Sequence, residues 1–376
     1  MKKILQSTLE RHSVSWLELF YDLIYVVVIA KLAHLITSGH GGHLRLSDFV
    51  VFIALFIPVW WAWTGHTLYA TRFYDDSVID RLFTLVQMFL VTLMALFITD
   101  AFHGNGQQFA LTYAGIRGLL VAMYIRVYFS NPDLRPVASC LSWGFGIGVL
   151  CWSISAFLPP PWMYGLWVTG LLIELITPLR CRPQLKLASV HSHHLPERFG
   201  LFTIILLGES VSSLTSGLSS HDLSLEPMII ALLGFASLSA IWWHYFEVVE
   251  RVVMNKELGA GQLLIYGHLP IFIGLVLLAA AIRHNIIGNL NVADISLLFS
   301  VGLMLYLIPV QFIAQLNQIK EERWPLQRNT ILLVTVLVAV IAARNIFNAI
   351  GISSLITTIM VVYVIANTPK RAPMES

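Results

Sequence analysis

The sequence predicts an all-α polytopic membrane protein of about 12 transmembrane helices, arranged as two parallel six-helix repeats. Hydrophobic residues make up 57% of the chain and charged residues only 12%, against roughly 25% charged residues in soluble proteins. Long apolar runs recur along the whole chain, and a pattern near the N-terminus returns near the middle. A soluble domain has too little interior to cover this much apolar surface, so lipid is the expected solvent for most of it.

The individual spans follow from the apolar runs, because a transmembrane helix needs about 20 mostly apolar residues. Polar or proline-rich breaks separate the runs, for example SGHGGH at 38–43, HGNGQQ at 103–108 and PPP at 159–161. The gap before the last run is short, so ten or eleven spans remain an alternative. The predicted spans are 16–37, 47–70, 80–102, 109–129, 137–158, 162–179, 199–217, 226–248, 261–283, 294–315, 328–344 and 347–366.

The distribution of Lys and Arg predicts the orientation of these spans. With a cytoplasmic N-terminus, 18 of the 23 Lys and Arg residues lie in cytoplasmic segments. Only Arg45, Arg283 and Arg344 lie outside, while Lys31 and Arg117 fall within spans. This bias predicts an even number of spans with both termini in the cytoplasm.

An internal repeat organises the chain. ERHSVSWLELFYD at 10–22 and ERFGLFTIILLGE at 197–209 share their first two residues and end on an acid. Trp60-Trp61 matches Trp242-Trp243 at a similar offset, and Pro136 matches Pro325. We therefore predict a first repeat over 1–190 and a second over 191–376. Six spans per half make the repeats parallel. Chance similarity between lipid-facing helices is the alternative.

Asp22 and Glu209 are the main candidate site residues, because they end the two copies of the pattern. Equivalent helices of parallel repeats approach a common axis, so both acids are expected to face one cavity and bind a substrate, a proton or a cation. Glu18 lies one turn before Asp22 on the same helix face and would tune it by charge repulsion. The alternatives are a headgroup-level position for Glu18 and a structural salt bridge or hydrogen bond for Asp22.

Further polar residues form a second group of candidates. At the predicted cytoplasmic rim, Arg11 and Arg198 are expected to pair with Glu197 or Glu10 as a gate. Arg117 and Glu174 lie within spans and are natural partners for each other, although the sequence leaves their depth open. The secondary candidates also include His34 and His244; a lone histidine among aromatic residues is more often a hydrogen-bonded packing residue than a ligand.

The sequence assigns neither a cofactor nor a metal. HSHHLPER at 191–198 contains three histidines, which either bind a metal or form a solvated loop. Cys140, Cys151 and Cys181 are expected to be small buried residues rather than a disulfide framework. No nucleotide-binding loop, GxSxG or HExxH motif occurs, and no basic tract suggests nucleic acid. The expected partners are therefore the lipid bilayer and a small solute or ion.

Two long motifs resemble a known family. ERHSVSWLELFYDLIYVVVIAKLAHL at 10–35 and HLPERFGLFTIILLGES at 194–210 are similar to the motifs of the bacterial low temperature requirement protein A (LtrA) family. The resemblance implies a multi-pass protein of the bacterial inner membrane, linked by name to growth in the cold. It carries over Glu18, Asp22, Glu197, Glu209 and the basic positions Arg11 and Arg198 as motif residues, without a role for any of them.

The leading functional hypothesis is a secondary transporter or permease, coupled to protons or cations, with alternating access around the acids of the two halves. The alternative is a membrane-embedded enzyme or sensor that acts on lipid, quinone or haem, for which the Trp, Tyr and His residues are the support. A structural or partner-binding role is the third hypothesis. The sequence identifies no substrate and no oligomeric state.

Overall fold

The described part of the chain consists almost entirely of α-helices. A computed structural model describes residues 14–37, 43–73, 75, 77–188, 190, 194–220, 224–249, 258–317, 335–336 and 346–367. Short helical turns lie at Pro132–Leu134 and Arg182–Leu185. The long helices are α1 (Trp16–Thr37), α2 (Leu46–Phe73), α3 (Val78–Phe97), α4 (Gly106–Ser130), α5 (Arg135–Ser155), α6 (Trp162–Arg180), α7 (His194–Ser219), α8 (Leu225–Val249), α9 (Leu258–Ile287), α10 (Val292–Asn317) and α11 (Ala349–Asn367).

The first ten predicted spans each coincide with one of the helices α1 to α10. Within the described residues, these ten helices are long and apolar enough to cross a membrane, and α11 contains a shorter apolar stretch. The predicted span 328–344 lies almost wholly outside the described residues, so the total of twelve stays a prediction. The observed helices extend beyond most of the apolar runs, because their polar first and last turns are also helical.

Local signals in the sequence explain where particular helices begin and end. At the start of α1, Ser15 and Glu18 form a capping box: the backbone N–H of Ser15 donates to Glu18 Oε2 at 2.8 Å, and that of Glu18 donates to Ser15 Oγ at 3.3 Å. At the end of α9, Gly288 has φ of 67°, a left-handed conformation in which glycine avoids the steric cost of a Cβ atom.

The chain divides into two compact units. The first contains residues within 1–35, 50–202 and 256–261, and the second those within 36–49, 203–255 and 262–376. In the first unit, α3 packs against α4, α4 against α5, and α5 against α6. In the second, α8 packs against α10 and α11. The units are defined by contacts rather than by sequence similarity, so the repeats 1–190 and 191–376 stay a prediction.

Each unit has a buried interior, while many large apolar side chains face outwards. In the first unit the largest fully buried side chains are mostly aromatic, including Trp60, Trp61, Trp63 and Trp152. Leu82, Phe89 and Leu96 of α3 are more than half exposed, as expected for a helix face that contacts lipid.

The cysteines differ from the sequence expectation. Cys140, in the second turn of α5, forms a disulfide with Cys181, the residue directly after α6. The expectation that the chain has no disulfide was therefore wrong for this pair. Spacing along one helix excludes a bond between Cys140 and Cys151. It gives no information about Cys140 and Cys181, which are 41 positions apart in the sequence but lie at the same end of an antiparallel helix pair.

Candidate functional site

The candidate site begins with four polar side chains on one face of α1. Glu18, Tyr21, Asp22 and Tyr25 follow the three- and four-residue spacing of a helix face, and all four are buried. The capping box holds Glu18 in the first turn through its Oε2 atom. Glu18 is only 5% exposed, so it is buried together with Asp22, and its depth relative to the headgroups stays a prediction.

Arg198 joins the two carboxylates of this face. Its Nη1 atom lies 2.7 Å from Glu18 Oε1, and its Nη2 atom lies 2.6 Å from Asp22 Oδ1. The guanidinium is completely buried. Arg198 lies in the second turn of α7, in the part of that helix that belongs to the first unit. The repulsion expected between the two acids is therefore offset by a cation that both share.

Helix α2 closes the other side of Asp22. The indole Nε1–H of Trp63 donates to Asp22 Oδ1 at 2.7 Å. The Trp63 ring packs edge-on against Phe199 and at 4.3 Å between centroids from Phe202, which fixes the indole. Asp22 Oδ1 thus has two donors, whereas Asp22 Oδ2 has no hydrogen-bond partner among the described residues.

The electrostatic balance of this centre is uneven. Glu18 and Asp22 carry two negative charges and Arg198 one positive charge, so the three side chains leave one net negative charge inside the helices. His194, at the start of α7, lies 3.5 Å from Glu18 Oε2 through its Nε2 atom. It is the nearest further group that can carry a proton. We call Glu18, Asp22, Arg198 and His194 the charge centre.

A second buried ion pair lies elsewhere in the first unit. Arg117 Nε of α4 is 2.8 Å from Glu174 Oε2 of α6, and both side chains are fully buried. The Tyr113 hydroxyl donates to the same oxygen at 2.8 Å, and the guanidinium lies 4.6 Å from the centre of the Phe145 ring. The structure thus pairs Arg117 with Glu174, and here the charges balance.

The ion-pair partners of Arg198 differ from those expected at the cytoplasmic rim. Arg198 was expected to pair with Glu197 or Glu10, but its carboxylate partners are Glu18 and Asp22. Glu197 is exposed in the first turn of α7. The reason is geometric, since neighbouring residues of a helix point in directions about 100° apart. Glu10 and Arg11 lie outside the described residues.

Glu209 has surroundings unlike those of Asp22. It belongs to the second unit, is half-buried, and interacts with the Ser213 hydroxyl one turn later. Asp22 belongs to the first unit, so the predicted cavity shared by the two acids stays a prediction. The other repeat landmarks also differ, because Trp60 and Trp61 are buried whereas Trp242 and Trp243 are 51% and 55% exposed.

Two buried histidines of the second unit hydrogen-bond to neighbouring protein groups. His244 is buried, and its Nδ1 atom lies 3.0 Å from the Tyr306 hydroxyl. The same hydroxyl lies 3.0 Å from the carbonyl oxygen of Ile241, to which it donates. His268 contacts the Leu264 carbonyl and the Tyr245 hydroxyl with its two ring nitrogens. His34 lies exposed in the last turn of α1.

Metal binding finds no support within the described ranges. There, no group of three or more His, Cys, Asp and Glu side chains is arranged to hold a metal ion. His191 and His193 of the histidine-rich segment lie outside these ranges, while His194 approaches Glu18.

Sequence reasoning missed the supporting residues of the charge centre. Trp63 donates to Asp22, and the ring of His66 stacks on Tyr21 at 3.9 Å between centroids, but neither residue is among the candidates named from the sequence. Several tryptophans lie close together in this apolar helix. Nothing in the sequence indicates which of their indoles contacts a carboxylate and which contact aromatic neighbours.

Comparisons with known proteins agree with this architecture. No solved structure matches the chain. The chain is 27% identical to an uncharacterized protein of Rhizobium meliloti (strain 1021) over 286 residues, which is 70% of this chain and 68% of that protein. A family model described as bacterial low temperature requirement A protein (LtrA) matches residues 13–365. Because this match covers nearly the whole chain, including α1 to α10, the protein is an integral membrane protein that belongs to the bacterial LtrA family.

Proposed function

We propose that this protein is a secondary transporter or permease for a small solute or ion, and that the charge centre couples its movement to that of an ion. The observation that carries the proposal is the sharing of buried Arg198 between Glu18 and Asp22. Taking a charged side chain out of water into the interior of a protein costs several kcal/mol. The buried charges of Glu18, Asp22 and Arg198 do not cancel, which indicates a role for these three side chains beyond packing.

The contrast with the second ion pair supports this assignment. Arg117 and Glu174 balance each other and are fully enclosed, as a structural connection between helices requires. Glu18, Asp22 and Arg198 instead leave one excess negative charge, while carboxylate oxygens without a hydrogen-bond partner among the described residues occur in both clusters, Asp22 Oδ2 in one and Glu174 Oε1 in the other. A cluster with an excess negative charge can bind and release a cation, whereas a balanced pair cannot do so without losing its partner.

The predicted repeat gives Glu209 a part in the same proposal. Secondary transporters often consist of two related halves that move against each other around a central site. In such an arrangement Glu209 of the second unit would serve the second half as Asp22 serves the first. The half-buried position of Glu209 and its contact with Ser213 suit an acid that is reached by solvent in one state.

The alternative of a haem-binding enzyme or sensor lacks comparable support. Axial haem ligation needs a histidine nitrogen that is free to bind iron. Both ring nitrogens of buried His268 already contact protein groups, so this histidine offers no nitrogen for iron.

Transport in proteoliposomes tests the proposal. Purified protein is reconstituted with an internal pH dye, and uptake of a panel of amino acids, sugars, nucleosides and inorganic ions is measured under an imposed pH gradient or membrane potential. We expect at least one solute to move faster than in empty liposomes, and Asp22→Asn to abolish this flux.

Matched acids provide the controls for this experiment. Glu209→Gln tests the acid of the second half, while Asp133→Asn and Glu226→Gln change exposed acids outside the proposed site and should leave the flux unchanged. If no solute moves faster than in empty liposomes, the transporter proposal fails. If flux is present and unchanged in both Asp22→Asn and Glu209→Gln, these acids have no part in it.

A further inference from the structure

We infer that the ion bound by the charge centre is a proton, that Asp22 Oδ2 is the atom that holds it, and that His194 is the group through which it enters. This inference rests on the proposed function, since it names the coupling ion of that site. Its basis is the unequal partnering of the two Asp22 oxygens, the excess charge of the centre, and the position of His194 beside Glu18.

The open oxygen identifies the binding atom. Asp22 Oδ1 accepts hydrogen bonds from Trp63 and Arg198 at 2.7 and 2.6 Å, so its lone pairs are occupied. Asp22 is 2% exposed, and its Oδ2 atom has no hydrogen-bond partner in the described part of the chain. A buried carboxylate oxygen without a partner is costly, and a proton on Oδ2 removes most of that cost by neutralising the group.

The charge balance gives proton binding a structural consequence. While Asp22 is ionised, Arg198 is divided between two carboxylates. While His194 is neutral, a proton on Asp22 Oδ2 leaves Glu18 and Arg198 as the remaining charges, and these two form a neutral pair. The centre then has no net charge to desolvate, so the helices around it can rearrange at lower electrostatic cost. Proton release restores the shared state.

The surrounding donors disfavour a metal cation. Hard cations such as Mg²⁺ and Ca²⁺ take about six or more oxygen ligands. The groups that contact Asp22 are instead an indole N–H and a guanidinium, which repel a cation and offer no lone pairs. A proton needs one lone pair only, and Oδ2 supplies it.

His194 and Glu18 form the route to Asp22. His194 is 6% exposed and begins α7, and its Nε2 atom lies 3.5 Å from Glu18 Oε2. Glu18 lies one turn from Asp22. A proton taken from water by His194 Nε2 passes to the Glu18 carboxylate and then to Asp22 Oδ2, and each donor returns to its starting form. His194 is thus the group through which the proton enters, and Asp22 is the group that binds it.

Other charged and titratable groups surround this route and share its pH dependence. On α1 these are Glu18, Tyr21 and Tyr25. Helix α2 contributes His66, which stacks on Tyr21, and α7 contributes His194 and Arg198. Arg117 of α4 interacts electrostatically with Tyr21 from a longer distance. Arg198 and Arg117 are fixed positive charges, so His66 is the main competitor for the proton, and it is included in the test.

Infrared difference spectroscopy tests the inference without any transported solute. The full-length protein in lipid is titrated between neutral and acidic pH, and the carbonyl stretch of protonated carboxylic acids is recorded. We expect a band from a buried acid that shifts when aspartate is ¹³C-labelled in the unaltered protein and that is completely lost in Asp22→Asn. Asp133→Asn and His66→Gln should keep the band.

The outcomes separate this inference from the transport proposal. The isotope shift needs no substitution, so even with a folding defect in Asp22→Asn it tests whether the band comes from an aspartate. After a pH jump, His194→Gln should slow the appearance of the band on the order of 100-fold without removing it. A band that persists in Asp22→Asn, or that lacks the ¹³C shift, overturns the inference.

Sodium and potassium provide the competing outcome. If either ion, added at constant pH, changes the carboxylate bands of the unaltered protein but not those of Asp22→Asn, the site binds a metal cation and the proton assignment is wrong. If the Asp22 band titrates but no solute moves in proteoliposomes, the proton site stands and the transport proposal fails.

Discussion

The two carboxylate oxygens of buried Asp22 differ, because one accepts hydrogen bonds and the other has no partner among the described residues. Trp63 and Arg198 orient it through Oδ1, and the open Oδ2 remains available for chemistry. Trp63 holds the carboxylate in place, and in the proposed function it does not bind the ion itself. Its indole N–H makes a hydrogen bond to a charged acceptor, which is worth more than a neutral one.

Removing this indole donor should weaken the fold around Asp22. Trp63→Phe keeps an aromatic ring against Phe199 and Phe202 but loses the hydrogen bond, and we expect the free energy of unfolding to fall by about 1.5–3 kcal/mol. Reversible unfolding in detergent measures it. Trp143→Phe is the matched control, because Trp143 is 74% exposed, and it should change stability by less than about 0.5 kcal/mol. Equal effects in the two variants would contradict the role of the Trp63 donor.

The Arg117–Glu174 pair makes a separate prediction at the same scale. Glu174→Gln leaves the fully buried Arg117 without its counter-charge, so we expect a loss of about 3–5 kcal/mol in the free energy of unfolding. Replacing both partners by methionine, together with Tyr113→Phe to remove the hydroxyl left without an acceptor, should recover most of this loss. The same unfolding assay checks both variants, and a triple variant less stable than Glu174→Gln would refute the explanation.

At the scale of elements, glycines let α5 and α6 approach closely. Gly144 and Gly148 lie one turn apart on α5, and a Cβ atom at either position would collide with Thr177 or Glu174 of α6. Such small-residue faces permit close packing of membrane helices, where dispersion contacts replace the hydrophobic effect. The buried Glu174 fits between the helices because Gly148 has no side chain.

A pair of alanine substitutions on α5 tests this packing. Gly148→Ala places a methyl group against the Glu174 side chain, and we expect a loss of about 1–3 kcal/mol in the free energy of unfolding. Gly146→Ala meets no heavy atom within 4 Å, and its helix propensity should stabilise the protein by up to about 1 kcal/mol. Thermal unfolding of the two variants in detergent gives the comparison. Destabilisation by both would point to a general effect of side-chain volume on α5.

Two helices with matching sequence patterns can place the matching side chains in different surroundings. The tryptophan pair at 60–61 is buried in the first unit, and the pair at 242–243 is half exposed in the second. Asp22 has a guanidinium and an indole as partners, whereas Glu209 interacts with Ser213. Equivalent positions along two helices fix the spacing of side chains, but the neighbouring helices decide what those side chains contact.

For the whole molecule, the distribution of Lys and Arg predicts the membrane orientation. Reporter fusions test it: alkaline phosphatase should be active when fused after residue 104 or residue 160, in the segments after α3 and α5. Fluorescent protein should be active after residue 133 or residue 186, in the segments after α4 and α6. These expectations follow from cytoplasmic termini and the positive-inside rule. The opposite activity pattern at all four positions would reverse the orientation.

Apolar composition by itself determined that the chain spans a membrane and where the first ten helices lie. The prediction of these helices succeeds because backbone polar groups in lipid must be hydrogen-bonded within their own helix. An apolar run of sufficient length therefore forms a membrane-spanning helix. The spacing of Glu18 and Asp22 likewise determined that they share a face of α1, since helix periodicity is a local property. The long motifs also carried the family resemblance.

Only the tertiary structure decided which groups meet that face. Arg198 lies 176 residues from Asp22 and Trp63 lies 41 residues away, and no local rule selects them from the other polar residues of the spans. Cys140 and Cys181 likewise meet through an antiparallel helix pair. The physical reason is that a sequence pattern fixes the direction of a side chain on its own helix, while its partner depends on which helices pack together and at what depth.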